Sequence, residues 1–459
     1  MKRIARSSTY LYLCILSMAP VMVYASGIKT MPQLFGIRFE FILFSLALIG
    51  IAIFHHKTTY IALAGFVAIL MAKYLFSPGF SFFEIIVGSN QHAGEWSLLL
   101  NLVGLLLGFT ILAKYFEESG IPDALPALLP DDWKGGLLLL FIIMILSSFL
   151  DNIAAAMIGG TIALVTYKGR VHIGYLAAII AASNAGGAGS VLGDTTTTLM
   201  WIDGVSPFLV IHAYIASFGA FLVFGIIASR QQDRFQRIQK DITPGTRIDY
   251  VKLGIVVFIL SGAIVTNWTL EFPALGVWIA ILVVSFIRKA NWNEIPKAIS
   301  GTVFLVALLL SASLMPVDEL PEASWLSTFY LGFVSSVFDN IPLTKLCLDQ
   351  GGYDWGVLAY AVGFGGSMLW FGSSAGVALS NMFPETKSVL TYVRGGWHVT
   401  LAYIVGFFLM LLITGWNPPV SHNKPLPSTN QKGSGLKEHP LNLLPFIISD
   451  NYPLYSSQI

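Results

Sequence analysis

The chain has 459 residues; 55% are hydrophobic and only 11% charged, where an ordinary soluble domain carries roughly 25% charged residues. Its 26 Lys and Arg against 25 Asp and Glu leave a formal net charge of +1. This balance excludes a soluble enzyme, a disordered chain, a secreted disulfide scaffold and a basic nucleic-acid binder, and leaves an all-α polytopic membrane protein.

Apolar runs of about 20 residues cross a hydrocarbon core. The first run, 10–24, follows Lys2, Arg3 and Arg6 and ends in Val23-Tyr24-Ala25 before Ser26. Segment 1–25 reads as a signal peptide or, uncleaved, as a first helix; either way the basic start stays cytoplasmic. Cys14 and Cys347 lie in apolar segments with no CxxC or nearby His, so they are expected to be inert. Further spans are predicted at 36–54, 58–75 and 96–113. The next run, 137–165, is long for one span and short for two. It is followed by 173–201, Gly-rich in its middle, and by 207–228, 251–265, 273–287 and 299–315. A second awkward run, 325–348, precedes 357–382, again Gly-rich, and 393–413. The tail, 417–459, is rich in Pro, Ser, Asn and Lys and reads as a mobile extramembrane segment; its apolar patch 441–448 is too short to span.

The positive-inside rule settles how the awkward runs are read. Linker 230–252 carries Arg230, Arg234, Arg237, Lys240, Arg247 and Lys252 and is expected to be cytoplasmic. That requires 137–165 to enter and leave on one side, as a re-entrant hairpin flanked by Lys134, Lys168 and Arg170. The run 325–348 is flanked by Asp318, Glu319, Glu322, Asp349 and Asp354, so its hairpin opens outward. Lys29, Arg38 and the tail lysines depart from the rule.

A repeat links the two halves. Ser147-Ser148-Phe149-Leu150-Asp151-Asn152-Ile153 recurs as Ser335-Ser336-Val337-Phe338-Asp339-Asn340-Ile341. Each copy precedes a glycine-broken helix, with Gly186, Gly187 and Gly193 in the first and Gly365, Gly366 and Gly372 in the second. An odd number of crossings separates equivalent points, so the halves, 26–229 and 253–416, are inverted in the membrane. Inverted repeats with paired broken helices build secondary transporters around a mid-membrane site. Broken helices free backbone groups that lipid cannot satisfy, and those groups can bind ions.

Three carboxylates fall inside these motifs: Asp151, Asp194 and Asp339. A charge at membrane depth is costly and marks a functional candidate. Around them stand Asn152, Asn184, Ser190, Thr195, Thr196, Asn340, Ser367, Ser373 and Ser374, oxygen-bearing residues suited to a hard cation. A carboxylate withdrawn from water holds a proton more readily, so H⁺ and Na⁺ can compete for it. The structural alternative for each Asp is capping of a half-helix, or pairing with Lys345. Lys345 is expected to snorkel to the outer interface, Glu117 and Glu118 to be interfacial, and His398 to be a satisfied packing residue. Trp and Tyr near span ends read as interface anchors. An intramembrane aspartyl protease needs Gly-x-Gly-Asp, but Val191-Leu192-Gly193-Asp194 lacks the first glycine, so an enzyme is not expected.

With Asp-Asn-Ile in the first tip, Asp-Asn-Ile-Pro in the second and the Gly-rich 182–198 stretch ending Gly-Asp-Thr-Thr-Thr-Thr, the chain resembles the ion transporter superfamily over about residues 36–413. Within it the chain is most similar to NhaD-type sodium/proton antiporters, which share a family with ArsB arsenite permeases and citrate-type carriers. The resemblance implies about eleven spans plus two re-entrant hairpins. It also implies a moving transport part on a scaffold and a lipid-embedded homodimer in the bacterial inner membrane, with elevator-like access. It implies Na⁺ and H⁺ as transported ions, no cofactor, and Na⁺ ligands at Asp151, Asn152, Asp194, Asp339 and Asn340. Sodium-coupled carboxylate carriers typically show Ser-Asn-Thr at the tips; Asp in both tips, with no Lys or Arg in either motif, favours cation exchange. Asp194 stands where the second half has Ser373, so the two ion sites are expected to differ. The alternative is a citrate, carboxylate or oxyanion carrier using half-helix N-termini for the anion.

Overall fold

The computed structural model describes residues 2–25, 31–54, 57–88, 94–124, 129–239, 248–338 and 340–419. The expectations for Asp339, Lys29, Lys240, Arg247 and most of the tail lie outside the described residues.

The described chain is helical apart from one hairpin of two-residue strands, β1 (Gln33–Leu34) and β2 (Ile37–Arg38). Its turn, Phe35-Gly36, has positive φ at both positions, the backbone twist that a two-residue hairpin needs. The first half holds α1 (Lys2–Ala25), α2 (Phe39–Ile53), α3 (Thr58–Phe76), α4 (Phe82–Val87), α5 (Trp96–Glu117) and α6 (Ile121–Ala124). It continues with α7 (Trp133–Ser147), α8 (Asn152–Thr166), α9 (Ile173–Ala188), α10 (Thr195–Ile202), α11 (Pro207–Val210) and α12 (Ala213–Phe235). The second half holds α13 (Tyr250–Leu270), α14 (Pro273–Ser285), α15 (Glu294–Ser313), α16 (Trp325–Val337), α17 (Asn340–Gln350), α18 (Trp355–Gly365), α19 (Ser374–Met382) and α20 (Val389–Thr414). Six segments are long and apolar enough to cross a membrane, namely α3, α5, Pro207–Phe235, α13, α15 and α20. Shorter apolar helices accompany them. The chain is an all-α polytopic membrane protein.

Both awkward runs resolve into helix pairs. The first becomes α7 and α8, of 15 residues each, or about 22 Å apiece. The second becomes α16 and α17, of 13 and 11 residues. None reaches the ~30 Å of a hydrocarbon core. The Gly-rich runs also split, into α9 and α10 and into α18 and α19.

The sequence repeat is a packing repeat. Ser147 Oγ donates to the Ser183 carbonyl at 2.5 Å, and Ser335 Oγ donates to the Val362 carbonyl at 2.7 Å. Ser183 and Val362 each stand four residues before the second glycine of their break, Gly187 and Gly366. A Cβ at either glycine would lie 2.7 Å from the carbonyl oxygen of the next break glycine, Gly193 or Gly372. A Cβ at Gly193 would collide with the Ser147 carbonyl oxygen, and one at Gly372 with that of Ser336. Glycine is required here because backbone meets backbone.

Two groups of helices emerge. One contains α1, α2, α3, α5, α13, α14 and α15. The other contains α7 to α12 and α16 to α20, with α12 packed along α20 and α9 against α7, α12 and α20. Small residues allow close approach within the groups, as where Gly262 meets Gly276 between α13 and α14. The seam between groups runs where α17 lies on α15 and α10 on α5.

Gly193→Ala is expected to destabilise the protein by about 1–3 kcal/mol or more, because the fixed Ser147 carbonyl cannot yield. The check is the apparent Tm of the detergent-solubilised protein beside Gly254→Ala, inside α13, whose added Cβ meets nothing within 4 Å. A drop at Gly193 no larger than at Gly254 contradicts the close packing.

Candidate functional site

The two breaks meet in a buried polar centre. Asn152 Nδ2 donates to Asn184 Oδ1 at 3.1 Å. Asn184 Nδ2 in turn reaches the second half, donating to Ser367 Oγ at 2.9 Å and Ser373 Oγ at 3.1 Å. From the second half, Asn340 Nδ2 approaches both oxygens of Asp194, at 3.4 and 3.5 Å. All six side chains are buried. The contacts are crosswise: Asn184 meets Ser373, the cap residue of the opposing helix. In the other half the residue at Asn184's position relative to its break is Gly363, and the Asp194 carboxylate takes the vacant space, 3.3 Å from where a Cβ would stand.

Three half-helices start on a side-chain oxygen. Asp151 accepts from the Ile153 N–H at 3.3 Å, Asp194 from Thr196 at 3.2 Å and Ser373 from Gly376 at 3.3 Å. Capping satisfies the first turn of α8, α10 and α19. This is the structural role offered as an alternative for Asp151 and Asp194. It does not exhaust either group, since an ionised carboxylate offers about four acceptor positions.

A cavity of about 970 Å³ opens onto Asp151, Asp194, Thr195 and Thr198. It follows α8 past Met157 and Thr161 to the C-terminal end of α5 and the N-terminal end of α15. There Lys114 pairs with Glu117 at 2.9 Å and Lys297 with Glu294 at 2.8 Å, while Glu118 pairs with Lys252 at 2.9 Å. Glu117 and Glu118, expected at an interface, line this same cavity. Among the described residues no cluster of three His, Cys, Asp or Glu forms a metal site. A small cation in this centre would therefore draw on amide, hydroxyl and backbone oxygens beside the carboxylates.

The remaining expected site residues divide. Ser190 is spent on backbone, donating to the Ser148 carbonyl at 2.6 Å and accepting from Leu192 N–H. Thr196 is buried, and its hydroxyl has no hydrogen-bond partner among the described residues. Ser374 opens α19 and is half-buried. Gly186 packs on the Met144 carbonyl and Gly365 on the Gly332 backbone.

Three expectations are corrected. Lys345 does not snorkel to water: it is 2% exposed and pairs with Glu95 at 2.7 Å and Asp349 at 2.5 Å. His398 is not satisfied, because neither ring nitrogen has a partner among the described residues although the side chain is fully buried. Tyr214 and Tyr392 are not interface anchors. Tyr214 donates to the Gly186 carbonyl at 3.3 Å and Tyr392 to the Ser367 carbonyl at 3.0 Å, so each serves a carbonyl at one break. The available signal was positional: each begins the helix that follows a broken one. Arg38 has a local reason to depart from the positive-inside rule, since it pairs with Glu40 at 2.6 Å and Glu319 at 3.2 Å.

A family model described as CitMHS, citrate transporter, matches residues 41–365, which include both helix pairs and the first broken helix. The chain is 26% identical over 289 residues to Sodium/proton antiporter 1 of Arabidopsis thaliana, covering 53% of this chain and 49% of that protein. It thus spans about half the length of this plant relative. It is 25% identical over 395 residues to the Na(+)/H(+) antiporter NhaD of Halomonas elongata, covering 71% of this chain and 78% of that one. Against the Na(+)/H(+) antiporter NhaD of Vibrio cholerae it is 25% identical over 385 residues, covering 69% and 79%. These matches bear out the NhaD-type resemblance and point to a transporter rather than an enzyme. The bacterial inner membrane is consistent with these bacterial relatives. The helical architecture and a family match over more than half of the chain lead to one conclusion: this integral membrane protein belongs to the citrate transporter family.

Proposed function

We propose that the chain is a sodium/proton antiporter that exchanges cytoplasmic Na⁺ for external H⁺. The observation that carries this reading is the position of Asp151 and Asp194 at the inner end of one cavity, backed by amides from both halves. Each carboxylate can hold a proton or contribute to a Na⁺ shell completed by Asn152, Asn184, Asn340, the Thr and Ser hydroxyls and freed carbonyls, with Asp339 as a third carrier. The family's printed description favours a carboxylate carrier as the second reading. Against it, the cavity-lining lysines Lys114 and Lys297 are each already paired with a glutamate, which leaves little positive charge for a polyanion.

In this proposal α7/α8 and α16/α17 are re-entrant hairpins, the halves 26–229 and 253–416 are inverted repeats, and the protein works as a homodimer. Support for the hairpins and the inversion comes from the short helix pairs and from their directions. α8 runs from Asp151 along the cavity, whereas α17 runs from Asn340 toward Glu95 at the far end of α5. The cavity's mouth lies beside Lys252 and Asp249, at the end of the basic linker, so the open side is assigned to the cytoplasm.

Purified protein in liposomes with an internal pH dye tests the exchange. Na⁺ or Li⁺ pulses should shift internal pH, and citrate should not accumulate; citrate uptake without a pH response sinks the antiporter reading. Asp151→Asn and Asp194→Asn should each lower exchange at least about 100-fold, as expected when a charged ligand buried in a site is lost. Both should still elute as folded protein, and near-normal exchange in both would move the site elsewhere. For topology, Arg237→Cys, whose side chain is 79% exposed in the native residue, should label from the cytoplasmic side of intact cells' membranes. Labelling from outside alone would reverse the hairpin assignment.

A further inference from the structure

Away from the cavity, one lysine and two carboxylates close the seam between the helix groups. Lys345 belongs to α17 and is 2% exposed; its Nζ lies 2.7 Å from Glu95 Oε1 and 2.5 Å from Asp349 Oδ1. Glu95 precedes the first turn of α5, in the other group, and spends no side-chain bond on capping that helix. The Asp203 carboxylate, at the C-terminal end of α10, stands within electrostatic range of the same ammonium. The cavity mouth, with Lys114, Glu117 and Glu118, is at the opposite end of α5. That helix has 22 residues, so the two ends are about 33 Å apart. The seam is thus open at one end of α5 and tied by charge at the other.

The geometry points to an ionic latch: Glu95 on α5 holds Lys345 of α17 while the cavity is open, and the pair parts when the cavity closes. The assignment rests on the antiporter proposal above, taken with the elevator-like access that the family resemblance implies. Two features distinguish a latch from a permanent staple. First, Lys345 carries its own counterion, because Asp349 sits one turn along the same helix and would move with it. Parting therefore does not strand an unpaired buried ammonium, the costly outcome for a broken buried pair. Second, the partner that stays behind, Glu95, is 17% exposed at a helix start, where water and the helix dipole stabilise a lone carboxylate.

The test reads conformation rather than transport. Thr161→Cys, in the cavity wall, is introduced into the full chain with Cys14→Ser, and buried Cys347 is left in place. The rate of modification by a charged maleimide is followed by mass spectrometry of the labelled peptide. Adding Glu95→Gln should slow labelling by about fivefold or more, the low end of couplings between two states. The charge-swapped pair Glu95→Lys with Lys345→Glu should restore the rate. If Glu95→Gln does not yield folded protein, Glu95→Asp, which keeps the charge but shortens its reach to Lys345, carries the test: a slowed rate supports the latch and the parent rate overturns it. Equal rates in the parent and in folded Glu95→Gln, or a slow rate in the folded swapped pair, overturn it. Since labelling needs no ion gradient, a protein that fails to exchange Na⁺ still shows whether the latch holds, and a failed latch leaves the exchange reading intact.

Discussion

Backbone groups freed in the middle of a membrane must find partners inside the protein, because lipid offers none. The centre of this transporter is organised around that constraint. α9 and α18 stop at glycines; carbonyls at and beside the breaks are taken up by Ser147, Ser335, Tyr214 and Tyr392, and the first N–H groups of α8, α10 and α19 by the caps Asp151, Asp194 and Ser373. The glycines cannot be replaced cheaply, since at Gly193 and Gly372 the helix pairs press their own carbonyls against the breaks. One requirement therefore links the short helix pairs, the broken helices and the helices that follow them.

The same requirement yields a site with two unlike halves. A repeat alone would put equivalent residues at both breaks. Instead the first half places Asn184 where the second has Gly363, and Asp194 where the second has Ser373. The substitutions compensate: the amide of Asn184 reaches the small serine, and the glycine makes room for the carboxylate. The result is one negative centre at Asp194, flanked by neutral donors, beside a second carboxylate at Asp151. That asymmetry suits a cation more readily than a polyanion, which is the physical basis of the proposed exchange.

Among the described residues, ion pairs mark both ends of α5. At the cavity mouth each acidic group sits on a lysine, and at the other end of α5 Lys345 is shared by Glu95 and Asp349. Glu40, fully buried, is held by Arg38 and Lys73. Exposed pairs of this kind add little stability. Buried ones fix geometry while remaining breakable if a replacement partner is at hand, and on α17 Asp349 is that partner.

Composition alone determined that this is a membrane protein, because 11% charge cannot cover a soluble surface. Run length and glycine pattern determined the helix pairs and both breaks: a 29-residue run and two Gly-rich runs fit neither one helix nor two spans, and the repeated Ser-Ser-x-x-Asp-Asn-Ile marked where they divide. Side-chain chemistry picked out Asp151, Asn152, Asn184, Asp194, Asn340, Ser367 and Ser373, which do converge. Only the tertiary structure decided how they face one another, since contacts such as Asn184 to Ser373 cross 189 positions of chain. Sequence reasoning misjudged Lys345, Tyr214 and Tyr392 for the same reason. A residue near a helix end looks interfacial in one dimension; whether it meets water or a carboxylate from a distant helix depends on which helices pack against it.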